Sequence, residues 1–192
     1  TETANSDDQS LDRLGLDGQK VRMLLSLPGS SKALWDGFKS KLRSQIRKAE
    51  KNGLTMKMAE NFAEHKQLLD DFYDVYKQNM RQLASPVHSR KWFERILANY
   101  DDAARVCVVY TGDLAIGAGI VLINGQMAAI PWASTLSQHN RLAPNMLLYW
   151  SLLDHAEASI CAAHPRAGRR RHRTAGRLWV WQARQGICWG PN

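Results

Sequence analysis

The sequence predicts an α+β domain, with antiparallel strands flanked by helices. Three observations carry that prediction. Apolar runs at about 105–111, 114–123 and 126–134 are joined by Thr111-Gly112-Asp113 and by Asn124-Gly125, and Asn-Gly between apolar runs is a strong hairpin signal. Helical apolar spacing precedes and follows these strands. The order is therefore strand, helix, helix, three antiparallel strands and helix, preceded by a strand–helix arm. With 192 residues, 44% hydrophobic and 23% charged, the chain can bury the core of one ordinary domain.

Taken in order, residues 1–20 are polar and acidic with Gly15 and Gly18, and predict a linker or disordered end. Residues 21–27 are an apolar run closed by Pro28-Gly29, which suits a strand. Ser30 or Ser31 can cap a helix over about 32–52. Its apolar ladder is Trp35, Phe38, Leu42, Ile46 and Ala49, with Gly53 at the stop position. The opposite face carries Lys39, Lys41, Arg43, Arg47, Lys48 and Lys51. Residues 54–59 alternate apolar and polar, as a half-buried strand does. Asn61 can cap a long helix to about Leu83, with Leu68, Leu69, Phe72, Tyr73, Tyr76 and Met80 at helical spacing. Residues 84–88, containing Pro86, break it, and Ser89 can cap a second helix through Tyr100. After the three strands, an apolar helix is predicted near 144–157, with Pro144 at its first position. Beyond about Ala158 the periodicity stops, and only Leu178–Trp181 reads as a strand.

The net charge of +8 is uneven. Residues 158–192 hold seven of the 26 basic residues, all Arg, and no acid, so the body balances nineteen basic against eighteen acidic residues. Cys107, Cys161 and Cys188 lie far apart without metal-ligand spacing, which argues against a zinc site or disulfide framework and for a reducing compartment. No apolar run reaches the roughly eighteen residues of a spanning helix. The first residues lack Met and the layout of a signal peptide, so the chain reads as cytoplasmic and as a piece of something longer. Phosphate-loop, dinucleotide and nucleophile-elbow motifs are missing.

Two places gather chemistry. At Asn140–Asn145, a helix start behind Arg141 offers backbone N–H groups and the positive dipole end to an anion such as a phosphate. Between Tyr73 and Arg90, Tyr76, Asn79, Arg81 and His88 collect around a helix end and could grip a polar acceptor, with His88 a candidate base near neutral pH. The basic face of 32–52 could track phosphates, although such faces are most often simply solvated.

Three blocks resemble the FemAB-like family. They are Leu34-Trp35 with residues 41–54; Phe72–Arg81 leading into Ser85–Phe93; and Ala133-Ser134-Thr135 followed by Asn140-Arg141 and Pro144–Trp150. Together they cover about 21–157, and the likeness is strongest to FemAB-like proteins associated with exosortase and exopolysaccharide systems. The resemblance implies a GNAT-type acyltransferase fold, a mixed, mainly antiparallel sheet flanked by helices, incomplete here at the C-terminus. It also implies transfer of an aminoacyl or acyl group, from aminoacyl-tRNA or acyl-CoA, to an amine or sugar of a cell-envelope or exopolysaccharide precursor. On matched positions, Ser134, Arg141, Asn145 and Tyr149 fall on the donor side, and Tyr76, Asn79, Arg81 and His88 on the acceptor side. The catalytic group stays unknown, with Ser134 and His88 as candidates and no metal or bound cofactor expected.

The tail departs from the family, whose members continue with a buried strand absent here in order. Its arginine-rich, acid-free composition leads us to expect a shifted reading frame after about Ala158. The chain then divides into a linker (1–20), a strand–helix arm from a preceding domain (21–53), a partial GNAT-like domain (54–157) and a poorly ordered Arg/Trp-rich tail (158–192). On that reading the strand near 126–134 is a bare edge and the fragment is inactive. The alternative function is a nucleic-acid- or membrane-surface-binding module using the basic tail. The sequence leaves the oligomeric state open.

Overall fold

The computed structural model describes residues 22–163 and 176–181. Its strands are β1 (Arg22–Leu27), β2 (Leu54–Met58), β3 (Ala104–Thr111), β4 (Leu114–Asn124), β5 (Met127–Thr135) and β6 (Gly176–Trp181). Its helices are α1 (Ser31–Gly37), α2 (Ser40–Lys51), α3 (Phe62–Gln82), α4 (Arg90–Tyr100) and α5 (Pro144–Ala163). The strands form one sheet in the order β1-β6-β5-β4-β3-β2. All pairings are antiparallel except β5 with β6.

Local chemistry accounts for the helix starts. Ser30 Oγ accepts from Ala33 N at 3.2 Å and Ser89 Oγ from Trp92 N at 3.3 Å, each satisfying a donor that the helix cannot. Asn61 Oδ1 accepts from Glu64 N at 3.1 Å, and Glu64 reaches back to Glu60 N at 2.8 Å, a variant of the reciprocal capping box. The single helix expected over 32–52 is two. Phe38 is extended (ψ 142°) and its N–H bonds Trp35 O, so the chain turns a corner after Gly37 and restarts at Ser40. Glycine disfavours continuation there, and the corner lets Trp35 and Phe38 both meet Trp150 of α5, at 4.8 and 5.8 Å between ring centres.

Two apolar layers sandwich the sheet. On one face α5 packs with Leu27, Leu34, Ala49, Val109, Val121 and Ile130, while α1 and α2 cover its outer side. Enclosed on both sides, α5 is apolar almost all round: Leu147, Leu148, Leu152, Leu153, Ala156 and Ile160 are buried. Each such leucine or isoleucine contributes about 1.5–3 kcal/mol relative to exposure. The other layer packs α3 and α4, through Leu69, Phe72, Tyr76, Phe93 and Leu97, on Val106, Val108, Ala118 and Ile120.

The bare edge expected at residues 126–134 is not found. Met127–Ile130 pair in parallel with Arg177–Val180 of β6, and β6 in turn pairs with β1, so the arm's strand closes the same sheet. The last helix runs six residues past its expected end, to Ala163, because Ile160 still packs into the α5 core. The expectations for residues 1–20, and for the arginine cluster at 166–173, lie outside the described residues.

Candidate active site

The cleft begins with a defect in β5. Trp132 faces Ile120 and Ala129 faces Leu122, so Ile130 and Pro131 together oppose Val121, a β-bulge. Pro131 has no N–H to offer a ladder, and pairing with β6 ends at Ile130. From Pro131 to Thr135, β5 keeps β4 on one side, and on the other it has no strand partner among the described residues. Alternate N–H groups of an antiparallel strand point away from its partner, so this stretch turns donors to the side away from β4. The bulge also switches side-chain faces. Ala128 and Ile130 belong to the α5 core, whereas Trp132 and Leu136 face α3 and α4.

Ser134 is placed on the α3 side by this switch and is 4% exposed. Its Oγ accepts from Asn79 Nδ2 at 3.1 Å, which joins two sequence candidates and leaves the serine O–H as a donor. Tyr76 and His88 are tied together nearby. The Tyr76 hydroxyl accepts from His88 N and the Tyr73 hydroxyl donates to His88 O, both at 3.3 Å. The backbone of His88 is thereby clamped, and its ring stacks on Trp92 with centres 4.1 Å apart and planes at 20°. Trp92 meets Trp132 edge-on at 5.0 Å. His88 thus forms part of an aromatic wall, and its ring nitrogens make no hydrogen bond among the described residues. Arg81 lies exposed in the last turn of α3 and joins no ion pair among the described residues.

Past β5 the chain makes a 3-10 turn, Ser137–Leu142, then Ala143 in the left-handed region (φ 60°, ψ 45°) and Pro144 at the head of α5. Asn52 Nδ2 at the end of α2 donates to Leu142 O at 3.3 Å and ties the turn to the basic helix. The anion seat is narrower than the sequence implies. Pro144 has no N–H and Met146 N donates to Ala143 O at 3.1 Å, so Asn145 N–H is the first open donor. Asn145 is half-buried and Arg141 exposed. Tyr149 lies one turn deeper and is 7% exposed; burial pushes its phenol up to about 12, so it stays protonated near neutral pH.

The structure therefore brings Tyr76, Asn79, His88 and Ser134 together on one face of β5, and sets Arg141, Asn145 and Tyr149 at the head of α5 on the other. Sequence reading missed the Trp92–Trp132 wall, since Trp92 there counts only as one of a helix's apolar residues. It also missed the Asn52 tie, which no local pattern announces. Among the described residues no three His, Cys, Asp or Glu groups could hold a metal ion.

The described strands thus form a mixed sheet with one parallel pair, held between two helical layers, whose strand β5 leads into the head of α5. The chain belongs to the GNAT acetyltransferase family: residues 37–163 match the model of the acetyltransferase (GNAT) domain. Solved structures agree on the fold. FemX shares 12% identity at a TM-score of 0.64 over 92% of this chain and 60% of that one. L-PGS from Bacillus licheniformis shares 9% at 0.51 over 91% and 51%. A tandem GNAT protein from the clavulanic acid biosynthesis pathway shares 11% at 0.51 over 97% and 53%. The chain thus spans less than two thirds of each of these structures. No curated protein matches. Among the described residues no helix is long and apolar enough to cross a membrane.

Proposed function

We propose that this chain is the transfer domain of a FemAB-like enzyme. It would pass an acyl or aminoacyl group from acyl-CoA or aminoacyl-tRNA to an amine or sugar of a cell-envelope or exopolysaccharide precursor, in the cytoplasm. The observation that carries this reading is the Pro131–Thr135 stretch of β5, unpaired on its side away from β4 among the described residues, with the Ser134–Asn79 pair on one face and the head of α5 on the other. The donor's phosphates would meet Asn145 N–H and Arg141, and its carbonyl would approach this stretch. The acceptor nitrogen or oxygen attacks that carbonyl, and outward N–H groups of β5 stabilise the negative charge on its oxygen. As the intermediate collapses, the thiolate or ribose oxygen leaves and takes up the proton that the acceptor nitrogen or oxygen gives up. Ser134 O–H would donate to this charge or to the leaving group, while the aromatic wall would align the acceptor.

The tie between Asn52 and Leu142 favours a polyanionic donor in particular. It sets the exposed Lys48 and Lys51 near the donor turn, where they would extend a phosphate track beyond Arg141. The test is single-turnover transfer of labelled donor, comparing acetyl-CoA with aminoacyl-tRNA on an amino-sugar acceptor, for wild type, Ser134→Ala and Asn79→Ala. Loss of transfer in Ser134→Ala by about a hundredfold supports the reading; unchanged rates refute it. The chain alone is expected to be inactive, so the variants are compared in the full-length protein, and transfer at normal rates by the chain alone would refute that expectation.

A further inference from the structure

The Trp92–Trp132 wall is open to solvent. Trp92 stays 36% exposed with His88 stacked on its ring, His88 is itself exposed, and Trp132 is half-buried. An exposed aromatic cluster beside polar groups is the usual lining of a small-ligand site. The wall also leads to the proposed point of transfer. Trp132 precedes Ser134 by two residues on the same side of β5, about 6.5 Å along the strand. Tyr76, which accepts from His88 N, stands one turn of α3 before Asn79.

Charge decides what covers the wall. Residues 83–89 and β5 carry no acid. Of the acids on α3 beyond its first turn, Asp70 bonds Arg90, Asp71 accepts from the Tyr110 hydroxyl and Asp74 pairs with Lys77. Glu94, the one acid of α4, also pairs with Arg90. Arg81 at the end of α3 and Lys91, next to Trp92 on α4, are exposed and join no salt bridge among the described residues. An alkylammonium would therefore meet uncompensated positive charge and no free carboxylate, whereas an uncharged ring meets no such penalty.

We propose that the wall is a subsite for a hexopyranose ring, so that the acceptor is a carbohydrate and not a peptide or polyamine amine; the inference rests on the proposed transfer at β5. The C–H face of the ring lies on the aromatic surfaces, whose electron-rich faces attract its hydrogens. Its hydroxyl rim meets the His88 ring nitrogens and the Asn79 amide, groups that both donate and accept. One exocyclic nitrogen or oxygen then stands at the Pro131–Thr135 stretch. There it bonds to the donor's carbonyl carbon as the thioester or ester bond breaks, and its proton passes to the leaving thiolate or ribose oxygen.

The experiment is an NMR titration of the full chain, labelled at the tryptophan indole nitrogens, with methyl β-glucoside, beside sorbitol, which has hydroxyls but no ring, and lysinamide. The glucoside should shift the indole N–H signals of Trp92 and Trp132 saturably and leave those of Trp35 and Trp150, which pack together at α5, in place. Sorbitol and lysinamide should bind at least about tenfold more weakly. Trp92→Ala should weaken the glucoside about tenfold, and Trp92→Phe should recover most of that loss. Trp92 is an exposed position, and an unchanged circular dichroism spectrum confirms the fold of both variants. No saturable binding, sorbitol or lysinamide binding as tightly, or retained affinity in Trp92→Ala overturns the proposal. Transfer to lysinamide by the full-length protein, without glucoside binding, overturns the sugar subsite and leaves the transfer reading standing. Glucoside binding at Trp92, with wild-type transfer in Ser134→Ala, supports the subsite and overturns that reading.

Discussion

Gly119 lies where β4, β5 and α5 converge, and the cost of giving it a side chain can be worked from the structure. A Cβ there would stand 3.0 Å from Leu152 Cδ1, 3.1 Å from Trp132 O and 3.6 Å from Ala133 Cα. The leucine tip can rotate away, but the Trp132 carbonyl is backbone, fixed by the β4–β5 ladder, and must move a few tenths of an ångström. Forced overpacking of this kind costs about 1–3 kcal/mol. Against it stands the gain of about 0.5–1 kcal/mol from removing glycine's freedom in the unfolded chain. Gly119→Ala should therefore lose about 1–2 kcal/mol. Gly117 supplies the control. Its added Cβ would meet Thr135 Cγ2 at 3.3 Å and Pro144 Cβ at 3.5 Å, both side-chain atoms. Gly117→Ala should consequently stay within about 0.5 kcal/mol of wild type. Urea unfolding followed by tryptophan fluorescence reads both midpoints. Because Trp132 lies within the Pro131–Thr135 stretch of β5, Gly119→Ala should also lower transfer more than Gly117→Ala does. Wild-type stability in Gly119→Ala, or greater damage from Gly117→Ala, would refute the reasoning.

Asn61→Ala removes the cap of α3 and should cost about 1 kcal/mol in the same unfolding assay, because Glu64 N loses its acceptor. Asn79→Ala should cost about 1 kcal/mol and lower transfer, whereas Arg81→Ala, on an exposed turn, should leave stability within about 0.5 kcal/mol. Glu157 is 1% exposed, and burial raises its carboxyl above the usual carboxylate range, against the opposing hydrogen bonds from Gly29 N and the Cys161 thiol. The folded state therefore holds this proton more tightly than the unfolded chain, and its contribution to stability falls as pH rises through the folded value. Glu157→Gln should stabilise the protein more at pH 8 than at pH 4, as denaturant midpoints at the two pH values will show.

The parts of this fold legible in the sequence were those set by local chemistry. Ser30, Asn61 and Ser89 cap the helices that their spacing implied, and Asn124-Gly125 turns the hairpin it announced, with Gly125 at φ 59°. Contacts distant in sequence were not legible. The helix over 32–52 breaks because Trp35 and Phe38 must both reach Trp150, more than a hundred residues away, and the ladder looked unbroken from within. Likewise the parallel partner of β5 comes from Gly176–Trp181, after a stretch whose composition argued against any structure. At the site, the sequence named Asn79 and Ser134 but placed Asn79 with an acceptor and Ser134 with a donor. Their hydrogen bond joins the two residues directly, a contact that the bulge at Ile130–Pro131 makes geometrically accessible.

Under the proposed function, that bulge would let one strand serve two substrates. Without it, residues 128, 130, 132 and 134 would share a face, and Ser134 would point into the packed layer beneath α5. With it, the strand shows α5 its apolar residues up to Ile130, then turns Trp132 and Ser134 toward α3 and α4, while Pro131 withholds the donor that would bind β6. A donor seated at the head of α5 and an acceptor held against the aromatic wall would thus approach the same few peptide groups from opposite faces of the sheet. Deleting one of residues 130–131 should restore strict alternation, carry Ser134 away from Asn79, and abolish transfer even if the sheet still forms.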